Sequence, residues 1–266
     1  MLTLPPPRSA LYVPASNARA IEKAHGLNAD LTIFDLEDAV SPTQKDAARA
    51  AAIAAAVDFG DKGVAIRINA VGTTWHDDDV AAVARAAIDY IVVPKVEDAK
   101  ALAMMYDHIK KPLLPMIETP HGVYAARGIA ETSGVAGLIM GNNDLAIALK
   151  TPARAGLITA LHLTILAARA AGVWVLDGVY NALDDPEGFA AECAHGRMMG
   201  FDGKTVIHPN QLAACHVAFS PTDAEIAEAN ALVAAAADGA VRFRDRMVET
   251  MHVDAARKLL ARAQRR

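Results

Sequence analysis

The stretch Thr32-Ile33-Phe34-Asp35-Leu36-Glu37-Asp38-Ala39-Val40-Ser41-Pro42-Thr43-Gln44 opens on an apolar run, gathers three carboxylates, and ends on a helix-start signal. The apolar run predicts a buried strand over 31–36. Ser41-Pro42-Thr43-Gln44 has the form of a capping box with Pro at the first helical position, so a helix is expected just after the acids. Strand, charged loop and helix make one βα unit. The unit also fixes chain direction: Asp35, Glu37 and Asp38 stand at the C-terminal end of the strand.

The same unit recurs along the chain. Short apolar runs at 10–13, 31–36, 64–68, 90–93, 113–117, 138–140, 173–176 and 205–207 alternate with longer Ala-rich segments of helical spacing. Thr119-Pro120 and Asp185-Pro186 repeat the cap-then-Pro signal, and His208-Pro209 marks another helix start. Eight such units predict a (β/α)8 TIM-type barrel over 1–220, whose active site belongs on the face where the strands end. After Phe219 the pattern changes. Helical stretches at 222–237 and 252–263 follow with no strand left to feed, so 221–266 is expected to form a helical arm. That arm either braces the barrel or packs on a neighbouring subunit.

Composition narrows the function. At 266 residues, 53% hydrophobic and only 5% aromatic, the chain has an aliphatic, Ala-rich core large enough for one barrel. A formal charge of -5 argues against nucleic acid as the main partner, since a phosphate-binding face needs clustered Lys and Arg. Cys193 and Cys215 lack metal or redox spacing and read as reduced structural thiols. The N-terminal stretch has no signal-peptide pattern, and no run is apolar for the roughly 20 residues that a membrane helix needs. A cytoplasmic protein without membrane contact is expected.

The strand ends carry Asp35, Glu37, Asp38, Arg67, Asn69, Lys95, Glu118, Asp144, Asp177 and His208, so charge should converge on one mouth. Glu118 and Asp144 end adjacent strands. Two neighbouring carboxylates in a partly desolvated mouth repel each other unless a cation compensates, which a divalent metal would do; the alternatives are a shared proton or two helix caps. With no His or Cys nearby to close the site, oxygen ligands and open positions suit Mg2+, with Mn2+ as a substitute. Arg67, inside the alternating strand VAIRIN, needs an anion: either Glu118 or a substrate carboxylate or enolate. Asp35 reads as a structural partner for an Arg or Lys on a neighbouring strand. Glu37 and Asp38 are better placed to hold a metal's waters or to orient Arg67 and Lys45. No P-loop, dinucleotide fingerprint or nucleophile elbow is present in the sequence.

The motifs, taken in order, resemble those of the HpcH/HpaI aldolase family, in its citrate lyase β-subunit-like branch. The resemblance rests on RSALYVPASNARAIEKA (8–24), DLEDAV (35–40) with Lys45 and Arg49, IRIN (66–69) with Trp75, VPKVE (93–97), MIET (116–119), GNNDL (141–145), DGVY (177–180) and GFDGKTVIHPNQ (200–211). It implies a trimer or hexamer of barrels that makes or breaks a carbon–carbon bond beside a thioester. It further implies that Glu118 and Asp144 are the metal-binding carboxylates, that Arg67 binds the oxoacid part and stabilises the enolate, and that Arg19, Lys23 and Lys45 lie on the coenzyme A side. In the family that the chain resembles, an acid in the C-terminal arm, within a Met-Val/Ile-Asp-x-Pro motif, serves proton transfer at the neighbour's site. Here that place reads Met247-Val248-Glu249-Thr250-Met251, with Glu for Asp and no Pro.

The activity so implied is Mg2+-dependent cleavage of a 3-hydroxy-3-carboxyacyl-CoA of the malyl-, citramalyl- or citryl-CoA type to an acyl-CoA and a 2-oxoacid. Arg67 and Glu249 would be catalytic, with Glu118 also touching substrate. Two rivals follow from the same resemblance: a thioesterase on such esters, and a citrate lyase-type subunit that depends on an acyl carrier protein.

Overall fold

The computed structural model describes residues 6–57, 59, 62–237, 242–243 and 246–264. They fall into two compact units, one ending at Ala218 and the other beginning at Phe219. In the first, eight parallel strands close into a barrel: β1 (Ser9–Pro14), β2 (Leu31–Asp35), β3 (Gly63–Arg67), β4 (Tyr90–Val93), β5 (Leu113–Ile117), β6 (Gly137–Met140), β7 (Trp174–Asp177) and β8 (Gly203–Val206), with β8 returning to pair β1. Helices α1 (Ala18–His25), α2 (Lys45–Ala56), α3 (His76–Val83), α4 (Ala99–Ile109), α5 (Pro120–Ala130), α6 (Asn142–Ala148), α7 (Ile158–Ala171), α8 (Pro186–Met199) and α9 (Leu212–Phe219) follow the strands. The expected TIM-type barrel is present.

Local chemistry sets most boundaries. Thr119 and Asp185 accept from the N–H groups of Gly122 and Gly188 at 3.0 and 2.9 Å, each followed by Pro, and so start α5 and α8 as the sequence predicts. The capping box expected at Ser41 does not form. Ser41 Oγ donates to Gln44 Oε1 at 2.9 Å, while the Gln44 N–H is taken by the Ser41 carbonyl, and Pro42–Gln44 make one 3-10 turn before α2. The last strand spans Gly203–Val206 rather than 205–207, since Gly203 and Lys204 already pair with β7; the charge of the fully buried Lys204 breaks the apolar pattern there.

Alternation along each strand sends every second side chain inward. Ala10, Leu31, Ile33, Ala65, Tyr90, Val92, Leu114, Met116, Ile139, Trp174 and Leu176 form one buried cluster that fills the barrel. Each large member contributes about 1.5–3 kcal/mol when buried. Gly203 is where the barrel closes: a Cβ there would strike the backbone carbonyls of Pro7 and Arg8.

The second unit holds α10 (Asp223–Ala237) and α11 (Thr250–Ala263), which pack on each other. The sequence predicts no strand here, yet two-residue strands β9 (Arg242–Phe243) and β10 (Arg246–Met247) pair antiparallel. They are too short to carry a recognisable hydrophobic pattern. Residues 238–241 and 244–245 of the intervening stretch lie outside the described ones. Among the described residues, no helix is long and apolar enough to cross a membrane.

Candidate active site

The inward parity of the core continues past the strand ends. Ile33 leads to Asp35, Ala65 to Arg67 and Met116 to Glu118, so the residues that follow core positions by two are charged. Asp35 and Arg67 are register partners on β2 and β3. They meet as a fork: Arg67 Nε–H donates to Asp35 Oδ1 at 2.7 Å and Nη2–H to Oδ2 at 2.6 Å. Nη1 lies 2.9 Å from Glu37 Oε2 and 3.8 Å from Asp38 Oδ2. The guanidinium stacks 4.9 Å over the Tyr12 ring. Burial opposes its charge, but Asp35 outweighs that and holds the Arg67 pKa well above its ordinary value. Glu118 is not what anchors Arg67; Asp35 and Glu37 are. Asp35 is the structural partner that its position predicts.

Glu118 is only 3% exposed. Its Oε1 accepts the Lys95 N–H at 2.7 Å. Burial, then the negative charges of Glu37 and Asp144, push its pKa up to about 7 against help from Lys95 and Arg67. Gly141 makes room for this carboxylate, since a Cβ at 141 would collide with Glu118 Oε2 and Cβ. Asp144, in the first turn of α6, is half-buried and lies 3.7 Å from Lys95 Nζ. Glu37 is buried, bonded to Lys95 Nζ at 2.9 Å, and its pKa is raised by burial. Tyr12, Asp35, Asp38, Arg67, Glu118 and Asp144 all line one cavity of about 410 Å3 at the mouth.

Glu118 and Asp144 fit a hard divalent cation. The first is a buried carboxylate short of positive charge, beside a backbone that leaves its outer oxygen space. Among the described residues no group of three or more His, Cys, Asp or Glu could enclose a metal. An open oxygen site of this kind suits Mg2+, which keeps several waters.

Other expected residues fall elsewhere. Lys45 is buried and donates to the Leu36 and Glu37 carbonyls, both at 2.7 Å, and to Asn69 Oδ1 at 2.6 Å. It therefore shapes the acidic loop, and these bonds hold its ammonium away from the coenzyme side that the resemblance implies for it. Arg19 and Lys23 stand four apart on the exposed face of α1 and do not line the cavity. Asp177, expected at the mouth, is fully buried instead. Arg154 and Lys204 hold it at 2.8 and 3.0 Å and keep its pKa low against burial. Glu249 is exposed, and its N–H donates to His252 Nδ1 at 3.0 Å at the start of α11.

The family model for HpcH/HpaI aldolase/citrate lyase matches residues 8–209. The chain belongs to this family. A second model, C-C bond lyase of the TIM-barrel fold, matches 155–265. Among relatives of the HpcH/HpaI protein, a (3S)-malyl-CoA thioesterase of Cereibacter sphaeroides is 45% identical, over 97% of this chain and 95% of its own. The citrate lyase subunit beta of Escherichia coli K12 is 33% identical over 97% and 93%. Of solved structures, the CitE protein of Mycobacterium tuberculosis in complex with magnesium, acetoacetate and coenzyme A superposes with a TM-score of 0.81, at 29% identity, over 96% of this chain and 97% of that one.

Sequence reasoning about this HpcH/HpaI barrel missed roles for Lys95 and Tyr12. Lys95 stands among the strand-end charges in the sequence, but its contacts to Glu37, Asp144 and the Glu118 carboxylate depend on three other strands. Tyr12 has a legible signal: it follows Ala10 by two on β1 and so shares the inward face with the core.

Proposed function

We propose that this chain is a Mg2+-dependent carbon–carbon lyase that cleaves a 3-hydroxy-3-carboxyacyl-CoA, of the malyl-, citramalyl- or citryl-CoA type, to an acyl-CoA and a 2-oxoacid. The observation that carries the reading is the meeting of Glu118, Asp144 and Arg67 in one cavity. Glu118 and Asp144 would hold the Mg2+, or Mn2+ in its place. When bound, the metal supplies Lewis acidity that lowers the pKa of the substrate hydroxyl.

Arg67 would do the electrostatic work. Its Nε and Nη2 are fixed on Asp35 and its Nη1 lies 2.9 Å from Glu37, so an oxoacid carboxylate or the developing enolate oxygen would share the Nη1 edge with Glu37. Because Asp35 pre-orients the fork, little reorganisation accompanies charge development. Glu37 and Asp38 balance Arg67, and Lys45 fixes the loop that carries them. Glu249, from the arm of a neighbouring subunit in a trimer or hexamer, would protonate the enolate carbon. Arg19 and Lys23 on α1 are the basic residues suited to the coenzyme's phosphates. Two buried free thiols are in keeping with a reducing, cytoplasmic setting.

A second reading is hydrolysis of the same thioester, favoured by the name of the Cereibacter sphaeroides relative. Product analysis separates the two. With malyl-CoA, cleavage yields acetyl-CoA and glyoxylate, whereas hydrolysis yields free CoA and malate. Either activity should fall by at least about a hundredfold in Glu118→Ala; equal turnover by the variant and the wild type would overturn the metal assignment.

A further inference from the structure

Lys95 stands where the acidic side chains of the mouth meet. Its Nζ donates to Glu37 Oε1 at 2.9 Å and lies 3.7 Å from Asp144 Oδ2 and 4.0 Å from Asp38 Oδ1. Its backbone N–H donates to Glu118 Oε1 at 2.7 Å. One residue thus touches both carboxylates of the pair assigned above to the metal, one through the main chain and one through the ammonium. Its backbone holds φ 52°, in the left-handed region that favours glycine, so the fold maintains a lysine here at a conformational cost.

The two contacts differ in kind. The main-chain bond fixes one oxygen of Glu118 regardless of what the side chain does, with Oε2 left beside Gly141. The ammonium contact can exchange. The Lys95 side chain is 40% exposed and that of Asp144 37%, and a half-exposed pair at this separation is weak. A divalent ion brings twice the charge to the same carboxylate, and a flexible four-carbon stem lets the ammonium withdraw toward Glu37.

We propose that Lys95 is an internal counter-ion: in the metal-free protein its ammonium neutralises Asp144 and Glu37, and it cedes Asp144 to the divalent cation while keeping Glu37. Lys95 is then a positioning residue that sets metal affinity. The inference rests on reading Glu118 and Asp144 as the metal ligands.

Calorimetric titration of MgCl2 into the full-length protein tests it without any turnover. Lys95→Met removes the ammonium and keeps the stem, and Lys95→Gly suits the left-handed backbone and guards against misfolding. Both should bind Mg2+ about three- to tenfold more tightly than the wild type, whereas Lys95→Arg, which retains the charge, should stay within about twofold. Equal or weaker Mg2+ binding by Lys95→Met and Lys95→Gly would overturn the proposal. Glu118→Ala separates the two levels: if it binds Mg2+ as tightly as the wild type, the metal reading fails and this inference with it. If it loses binding while the Lys95 variants match the wild type, only the counter-ion role fails.

Discussion

Glu118 illustrates how one buried side chain couples acidity to stability and, as the proposed metal ligand, would couple both to cation binding. Its pKa stands at about 7 against an ordinary 4.5, raised first by burial and then by Glu37. A carboxyl group raised in the folded state favours folding fully below 4.5, and that contribution is lost as pH climbs through 7. At about 1.4 kcal/mol per pH unit, the gap amounts to about 3 kcal/mol. Metal-free protein should therefore lose stability between pH 4.5 and 7 in urea unfolding, and Glu118→Gln should flatten that slope. Because a proton and a cation compete for the same oxygens, added Mg2+ should raise the wild-type melting temperature more at pH 8 than at pH 5.5. A pH-independent Mg2+ shift would exclude Glu118 as the competing group.

At the scale of elements, charge pairs bind strands that are distant in sequence. Arg154, before α7, and Lys204 on β8 converge on Asp177 at the end of β7, and Lys204 also bonds Glu192 on α8 at 2.7 Å. Asn142, at the start of α6, donates to Asp177 Oδ1 at 3.3 Å, so the cluster reaches the helix that carries Asp144. Removing Asp177 takes the fully buried anion from buried Lys204 and half-buried Arg154 and leaves them Glu192 alone, and breaking such a pair costs up to about 3–5 kcal/mol. Asp177→Ala should lower the urea midpoint accordingly, while Asp177→Asn, which keeps the shape but not the charge, should fall between it and wild type. A loss under about 1 kcal/mol in Asp177→Ala would mean that solvent reaches the cluster. The cap signals at Thr119 and Asp185 were legible in sequence because they depend on three or four adjacent residues. The failed box at Ser41 shows the limit: the same side chains had a second partner, each other.

For the whole molecule, the two units divide the labour that the proposal requires. The barrel carries Glu118, Asp144 and Arg67, and the unit from Phe219 onward carries Glu249. If the arm serves a neighbouring subunit, Glu118→Ala and Glu249→Ala should each be nearly inactive alone, yet regain activity when coexpressed as mixed oligomers, because some sites then combine an intact barrel with an intact arm. Malyl-CoA turnover of the purified mixed species reads this out. Mixed oligomers no more active than the separate variants would place Glu249 outside the neighbour's chemistry.

The sequence by itself determined the barrel, its direction and most of the charged residues at its mouth, Asp177 being buried away from it. Those features follow from alternation, helical spacing and caps, all of which are set within a few neighbouring residues. Only the tertiary structure decided which charge answers which. Arg67 meets Asp35, 32 residues away, because β2 and β3 pair in that register. Lys204 is buried on Asp177 rather than exposed, and Lys95 spans Glu37 and Asp144, through contacts across strands that no local rule encodes. Charges of the same type look alike in a sequence. Closure of the barrel removes water from some of them, and the energy of leaving a buried charge unpaired then selects the partners.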